Sequence, residues 1–128
     1  MKKVLTRATL ALSGALLVSI GGALLVSPPA FLEMSHVFIE PHPGLLSELT
    51  APSGVLIVTG ALMMLGAVKL RFARPALSAG AVVYASYGLG RLISMGLHGL
   101  PPDSLILATG IELAVAAALA AVRLIALA

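Results

Sequence analysis

Cysteine is absent from the 128 residues, which excludes disulfides, thiolate metal sites and cysteine catalysis. Tryptophan, asparagine and glutamine are absent as well. Charge is scarce: 10% of residues are Asp, Glu, Lys or Arg, against about 25% in an ordinary soluble domain. The chain is 59% hydrophobic, with a mean hydropathy of +1.10. A single domain of this length has too little interior to hide so much apolar surface. The bilayer is therefore expected to act as its solvent.

The apolar residues fall in four runs. Ala8 to Ser27 carries no charge, and Ala51 to Val68 follows with Glu48 just ahead of it. Pro75 to Leu97 is interrupted only by Arg91, and Ser104 to Val122 only by Glu112. Each run approaches or exceeds the ~20 residues that cross a hydrocarbon core. The sequence predicts an all-α polytopic membrane protein. Its fold is an antiparallel four-helix transmembrane bundle, one domain over residues 1–128, with spans of about 8–27, 48–68, 75–97 and 104–124. The start, Met1-Lys2-Lys3 and an apolar run, has the look of a signal peptide. The run is long for one and Ser27-Pro28-Pro29-Ala30 is a poor cleavage site, so a retained helix is expected.

Lys2, Lys3 and Arg7 precede the first run, and Lys69, Arg71 and Arg74 separate the second from the third. Residues 28–46 and 98–103 contain no Lys or Arg. The positive-inside rule then places both termini and the middle loop in the cytoplasm, with Arg123 in agreement. The expected location is a cytoplasmic membrane. In the long first connection, Phe31, Met34 and Phe38 fall on one helical face and Glu33, His36 and Glu40 on the other. That pattern predicts a short amphipathic helix at the outer interface, ended by Pro41 and Pro43. In the first run, Gly14-Ala-Leu-Leu-Val-Ser19 recurs as Gly22-Ala-Leu-Leu-Val-Ser27. Gly14 and Gly21, seven apart, offer a seam for close approach by a neighbouring helix.

A charge at the bilayer centre costs roughly 2.5–3.5 kcal/mol on insertion scales, so Arg91 and Glu112 are functional-site candidates by default. Tyr84, Tyr87, Arg91, Ser94 and His98 are spaced 3, 4, 3 and 4, one stripe of a helix. Arg91 lies about 10 Å inside His98 and Glu112 about 13 Å inside Asp103, at 1.5 Å per residue. Neighbouring antiparallel helices then bring both charges to similar depth, which predicts an Arg91–Glu112 ion pair. Glu48 is a candidate third member and Tyr87 a hydroxyl partner. Such a pair either clasps the bundle or presents a guanidinium to the polar end of an amphiphile whose body lies between the helices.

Other chemistry has weaker support. Glu33-x-x-His36 has a spacing used in metal-binding bundles, but those need two such motifs. With His42 these two residues are the only metal candidates, and neither a metal site nor another cofactor is expected. Ser94, His98 and Asp103 make a triad only on paper, with no oxyanion hole in view. Gly88-Leu-Gly90-Arg91 lacks the third glycine and the preceding strand of a phosphate loop. Lys69 to Arg74 reads as a topology signal or an anionic-lipid contact, not a nucleic-acid site.

Four short motifs carry a family resemblance: Leu46-Ser47-Glu48-Leu49, Gly90-Arg91-Leu92-Ile93-Ser94, Gly99 before Pro101-Pro102, and Glu112-Leu113. In them the chain resembles the small bacterial integral membrane proteins grouped as domain of unknown function 4345. The resemblance implies four helices, makes the expected membrane the inner membrane of a bacterium, singles out Glu48, Arg91 and Glu112, and implies no established activity. Thr50-Ala51-Pro52-Ser53-Gly54 departs from that family's basic and aromatic stretch at this point. The expected function is a non-enzymatic membrane module. It would bind a lipid-like or amphiphilic ligand or serve a larger membrane complex. Its expected partners are membrane lipid, an amphiphilic small molecule, another membrane protein or a second copy. The alternatives are a small oligomeric transporter or proton pathway using Arg91 and Glu112, and a membrane enzyme with an outer-face His or metal site.

Overall fold

The computed structural model describes residues 1–126 and contains no strand among them. Its elements are α1 (Lys2–Val26), α2 (Pro28–Glu33), α3 (Pro43–Val68), a 3₁₀ turn (Leu70–Phe72), α4 (Ala73–His98) and α5 (Asp103–Ala126). The four long helices are each long and apolar enough to cross a membrane. They form an up-down-up-down bundle in which α1 packs chiefly on α3 and α4 on α5, with α3–α4 and α1–α5 contacts closing the ring. Seven of the eight Lys and Arg residues lie at one end, with the start of α1, the end of α5 and the Lys69–Arg74 turn. All five acidic residues lie in the opposite half. These are called the basic and acidic ends below.

Glycine sets the helix spacing. A Cβ placed on Gly60 would stand 2.8 Å from the Gly14 carbonyl oxygen and 2.9 Å from the Val18 nitrogen. One on Gly21 would stand 2.9 Å from Leu56. The seam at Gly14 and Gly21 is thus the α1–α3 crossing. Gly22, which opens the second copy of the repeat, faces open space. An eight-residue step turns about 80° around a helix, whereas seven residues return nearly to the same face. The repeat therefore has no common structural role.

The basic half is closely packed. Leu10, Met63, Leu77 and Leu119 are fully buried there with Ala73 and Ala76. Gly66 admits Ala76, and Gly80 admits Met63. The hydroxyl of the buried Thr6 there, and that of the buried Thr109 in the other half, bond to the carbonyls of Lys2 and Leu105 one turn back. Intrahelical bonds of this kind satisfy a polar group that lipid or a dry core cannot.

Two expectations need correction. The amphipathic helix does not run on to Phe38 and Glu40: α2 ends at Glu33. His36 has φ 59, and its N–H bonds to Glu33 O while Val37 N–H bonds to Leu32 O. This is the Schellman pattern with His36 in the left-handed position that glycine usually fills. The helical face through Glu33, His36 and Glu40 therefore does not exist. The second long helix also starts earlier than expected. His42 caps it, its Nδ1 accepting from Leu45 N–H at 3.2 Å, and Pro43 takes the first turn. Pro52 lies inside α3, not at its boundary.

Candidate functional site

In the acidic half the two helix pairs leave a cavity of about 410 Å³ between them. Most of its wall is apolar, with Leu17, Leu24, Leu56 and Val83 among the lining residues. Phe31 and Leu32 of α2 supply part of the lining, so the truncated helix serves as a roof. Ser104 Oγ reaches Ser35 O at 3.4 Å and ties the connection after α2 to the start of α5. The polar residues of the cavity are Glu48, Tyr84, Tyr87, Arg91 and Glu112, with Ser35 at the roof.

Arg91 and Glu112 meet. Arg91 Nε donates to Glu112 Oε1 at 3.1 Å and to Oε2 at 3.0 Å. The Arg91 side chain is 34% exposed and that of Glu112 is 16% exposed. Gly88, one turn before Arg91, makes the approach possible. A Cβ there would lie 2.5–2.6 Å from the Leu113 side chain, so a larger residue would have to push that side chain aside for α4 and α5 to close at this level. The pair uses Nε alone. The two Nη groups of Arg91 have no acceptor among the described residues. Arg91 also borders two further recesses. One, of about 380 Å³, runs along α4 beside Ser86, Gly90 and Ser94. The other, of about 300 Å³, lies towards His98 and Pro101.

The remaining sequence candidates divide. Tyr84 is 3% exposed and donates its hydroxyl to Ser13 O at 2.7 Å, which ties α4 to α1. Tyr87 is half-buried on the cavity wall. Glu48 stands on the same wall but makes no ion pair with Arg91, so it is a neighbour of the pair and not a member of it. Its position reflects the early start of α3, which lifts it from a helix end into the second turn. Ser94 and His98 are exposed and border the 300 Å³ recess with no hydrogen bond between them.

The metal candidates separate. Glu33 and His36 do not share a helical face, and His42 Nδ1 is engaged as a cap. No group of three or more His, Cys, Asp or Glu gathers among the described residues. Sequence reasoning missed the roof residues Phe31 and Leu32, and it missed Pro52. Proline has no N–H, so the Glu48 carbonyl loses the donor that a helix would supply four residues on. Glu48 and Pro52 both line the cavity. The signal was present in the i, i+4 spacing of the two residues, but only inside a helix does it mean anything.

No curated protein and no solved structure matches the sequence. The model of the family described as "Domain of unknown function (DUF4345)" matches residues 5–122, nearly the whole chain, and the protein belongs to that family.

Proposed function

We propose that the protein is a non-enzymatic membrane module that holds an amphiphilic, lipid-like molecule in the cavity of its acidic half. The apolar body would lie along Leu17, Leu24 and Leu56, with its polar head against Arg91, Glu112 and Tyr87. One observation carries this reading: a cavity of about 410 Å³ whose long apolar wall ends at a guanidinium with unengaged N–H groups. Its volume lies within the ~300–1,000 Å³ of ordinary ligand pockets, which are mostly apolar with a few placed polar groups. With its basic end on the cytoplasmic side, as the positive-inside rule expects, the cavity would open in the outer half of a bacterial inner membrane.

A transport or proton pathway has less support. The polar stripe stops at Tyr84, whose hydroxyl is held by Ser13 O. Beyond it the fully buried Leu10, Met63, Leu77 and Leu119 close the basic half. Catalysis at the acidic face is also less well supported, because Ser94 and His98 are not coupled to each other.

The test is extraction and mass spectrometry of protein purified in mild detergent. Wild-type protein is expected to carry a stoichiometric amphiphile. Ala108→Phe, which puts a ring into the cavity, is expected to lose it. Ligand-free wild-type protein, or equal retention by Ala108→Phe, would count decisively against the reading.

A further inference from the structure

The charges on the cavity wall restrict the head group it accepts, an inference that rests on the amphiphile-binding reading. Three ionic side chains line the cavity: one cation, Arg91, and two carboxylates, Glu48 and Glu112. Glu112 neutralises Arg91 through the contact at 3.0 Å. Glu48 is left as a formal excess of negative charge. The surroundings reinforce this sign, because Glu33, Glu40 and Asp103 lie in the same half and Arg91 is its only Lys or Arg. A net anionic head would enter a negative region and compete with Glu112 for an arginine already paired.

The hydrogen-bonding groups are also divided. On α4, the two Arg91 Nη groups are donors with no acceptor among the described residues. A guanidinium has no acceptor of its own. On α3, Glu48 presents a carboxylate without an ion-pair partner, which only accepts. A ligand that satisfies both walls needs an acceptor on one side and a donor on the other.

We propose that the cavity takes an amphiphile with an electroneutral head that gives an acceptor to Arg91 and a donor to Glu48, and that it discriminates against heads of net negative charge. Two membrane sources have this chemistry. A phosphoethanolamine head offers phosphate to Arg91 and ammonium to Glu48. A glycerol head offers an ester carbonyl and a hydroxyl. The cavity's 410 Å³ is near the lower end of the ~300–1,000 Å³ of ordinary ligand pockets. That accommodates a head and the first part of a chain, with the remainder in the bilayer.

Native mass spectrometry of delipidated full-length protein with added dioleoyl lipids tests this. The probes are phosphatidylethanolamine, diacylglycerol and phosphatidylglycerol. Wild type is expected to retain one of the first two about tenfold better than phosphatidylglycerol, a difference of ~1.4 kcal/mol. Which of the two prevails identifies the source. Glu48→Gln, at an exposed side chain, is expected to keep its fold and narrow that preference to two- or threefold. Equal or better retention of phosphatidylglycerol by wild type, lost in Ala108→Phe, overturns the charge selection and leaves amphiphile binding standing. Retention of no lipid, or retention unaffected by both Ala108→Phe and the milder Ala108→Leu, overturns both.

Discussion

Arg91 reaches Glu112 through Nε only, and this geometry separates the two roles the pair can have. A clasp needs the Nε contact; a ligand needs the Nη groups. Glu112 is the more enclosed partner, at 16% exposure. Replacing Arg91 leaves its carboxylate without a cation, and hydrogen bonds to charged groups contribute about 1.5–3 kcal/mol. Arg91 is about one-third exposed, which screens part of that. Arg91→Gln is therefore expected to lower stability by about 1–2 kcal/mol in detergent, and Glu112→Gln by less, because an amide still accepts from Nε. In the double variant the two amides can bond to each other, so most of the loss is expected to return. Thermal unfolding of the four proteins gives the coupling directly. A coupling near zero removes the clasp. If the double variant regains stability but not the bound amphiphile, the guanidinium itself holds the head.

The helices meet where side chains are smallest, which makes the elements sensitive to single methyl groups. Gly60→Ala would place Cβ 2.6 Å from Val18 Cγ2 and 2.8 Å from Gly14 O, and the second contact is backbone. α1 and α3 must part to admit it, at about 1–3 kcal/mol, the usual range for overpacking. Gly90→Ala meets nothing within 4 Å and exchanges a poor helix former for the best, so it is expected to be neutral or stabilising by up to about 1 kcal/mol. Thermal unfolding of both variants checks the contrast; a Gly60→Ala as stable as wild type would rule out the crossing at this register. The same elements show what was legible in the sequence. Four spans could be read from the length and spacing of the apolar runs, because a bilayer fixes the length of a helix. Arg91 and Glu112 could be read because they are the only charges within those runs. The end of α2 could not, since its left-handed terminator is His36 and not glycine. Nor could the start of α3: Pro52 looks like a boundary by its missing N–H, but is accommodated inside the helix. The cavity depends on how side chains from all five helices fail to fill a volume, and no linear pattern encodes that.

For the whole molecule, the charge distribution makes the two ends unlike. Lys and Arg gather at the start of α1, the end of α5 and residues 69–74, while every acidic residue lies in the other half. Basic residues in short loops resist translocation, and acidic residues contribute little to orientation. The basic end is therefore expected on the cytoplasmic side, which turns the cavity and its α2 roof outward. The absence of cysteine makes the test clean, since any introduced thiol is the only one. Glu40→Cys lies in the exposed connection before α3, and Arg71→Cys in the turn between α3 and α4, also exposed. A membrane-impermeant maleimide applied to intact spheroplasts is expected to label Glu40→Cys and not Arg71→Cys, with both labelled after lysis. The reverse pattern would place the cavity on the cytoplasmic leaflet. It would leave the bundle and its ion pair unchanged, but it would change which lipids can reach Arg91. Labelling of neither site before lysis but both after it would place the protein in an internal membrane instead.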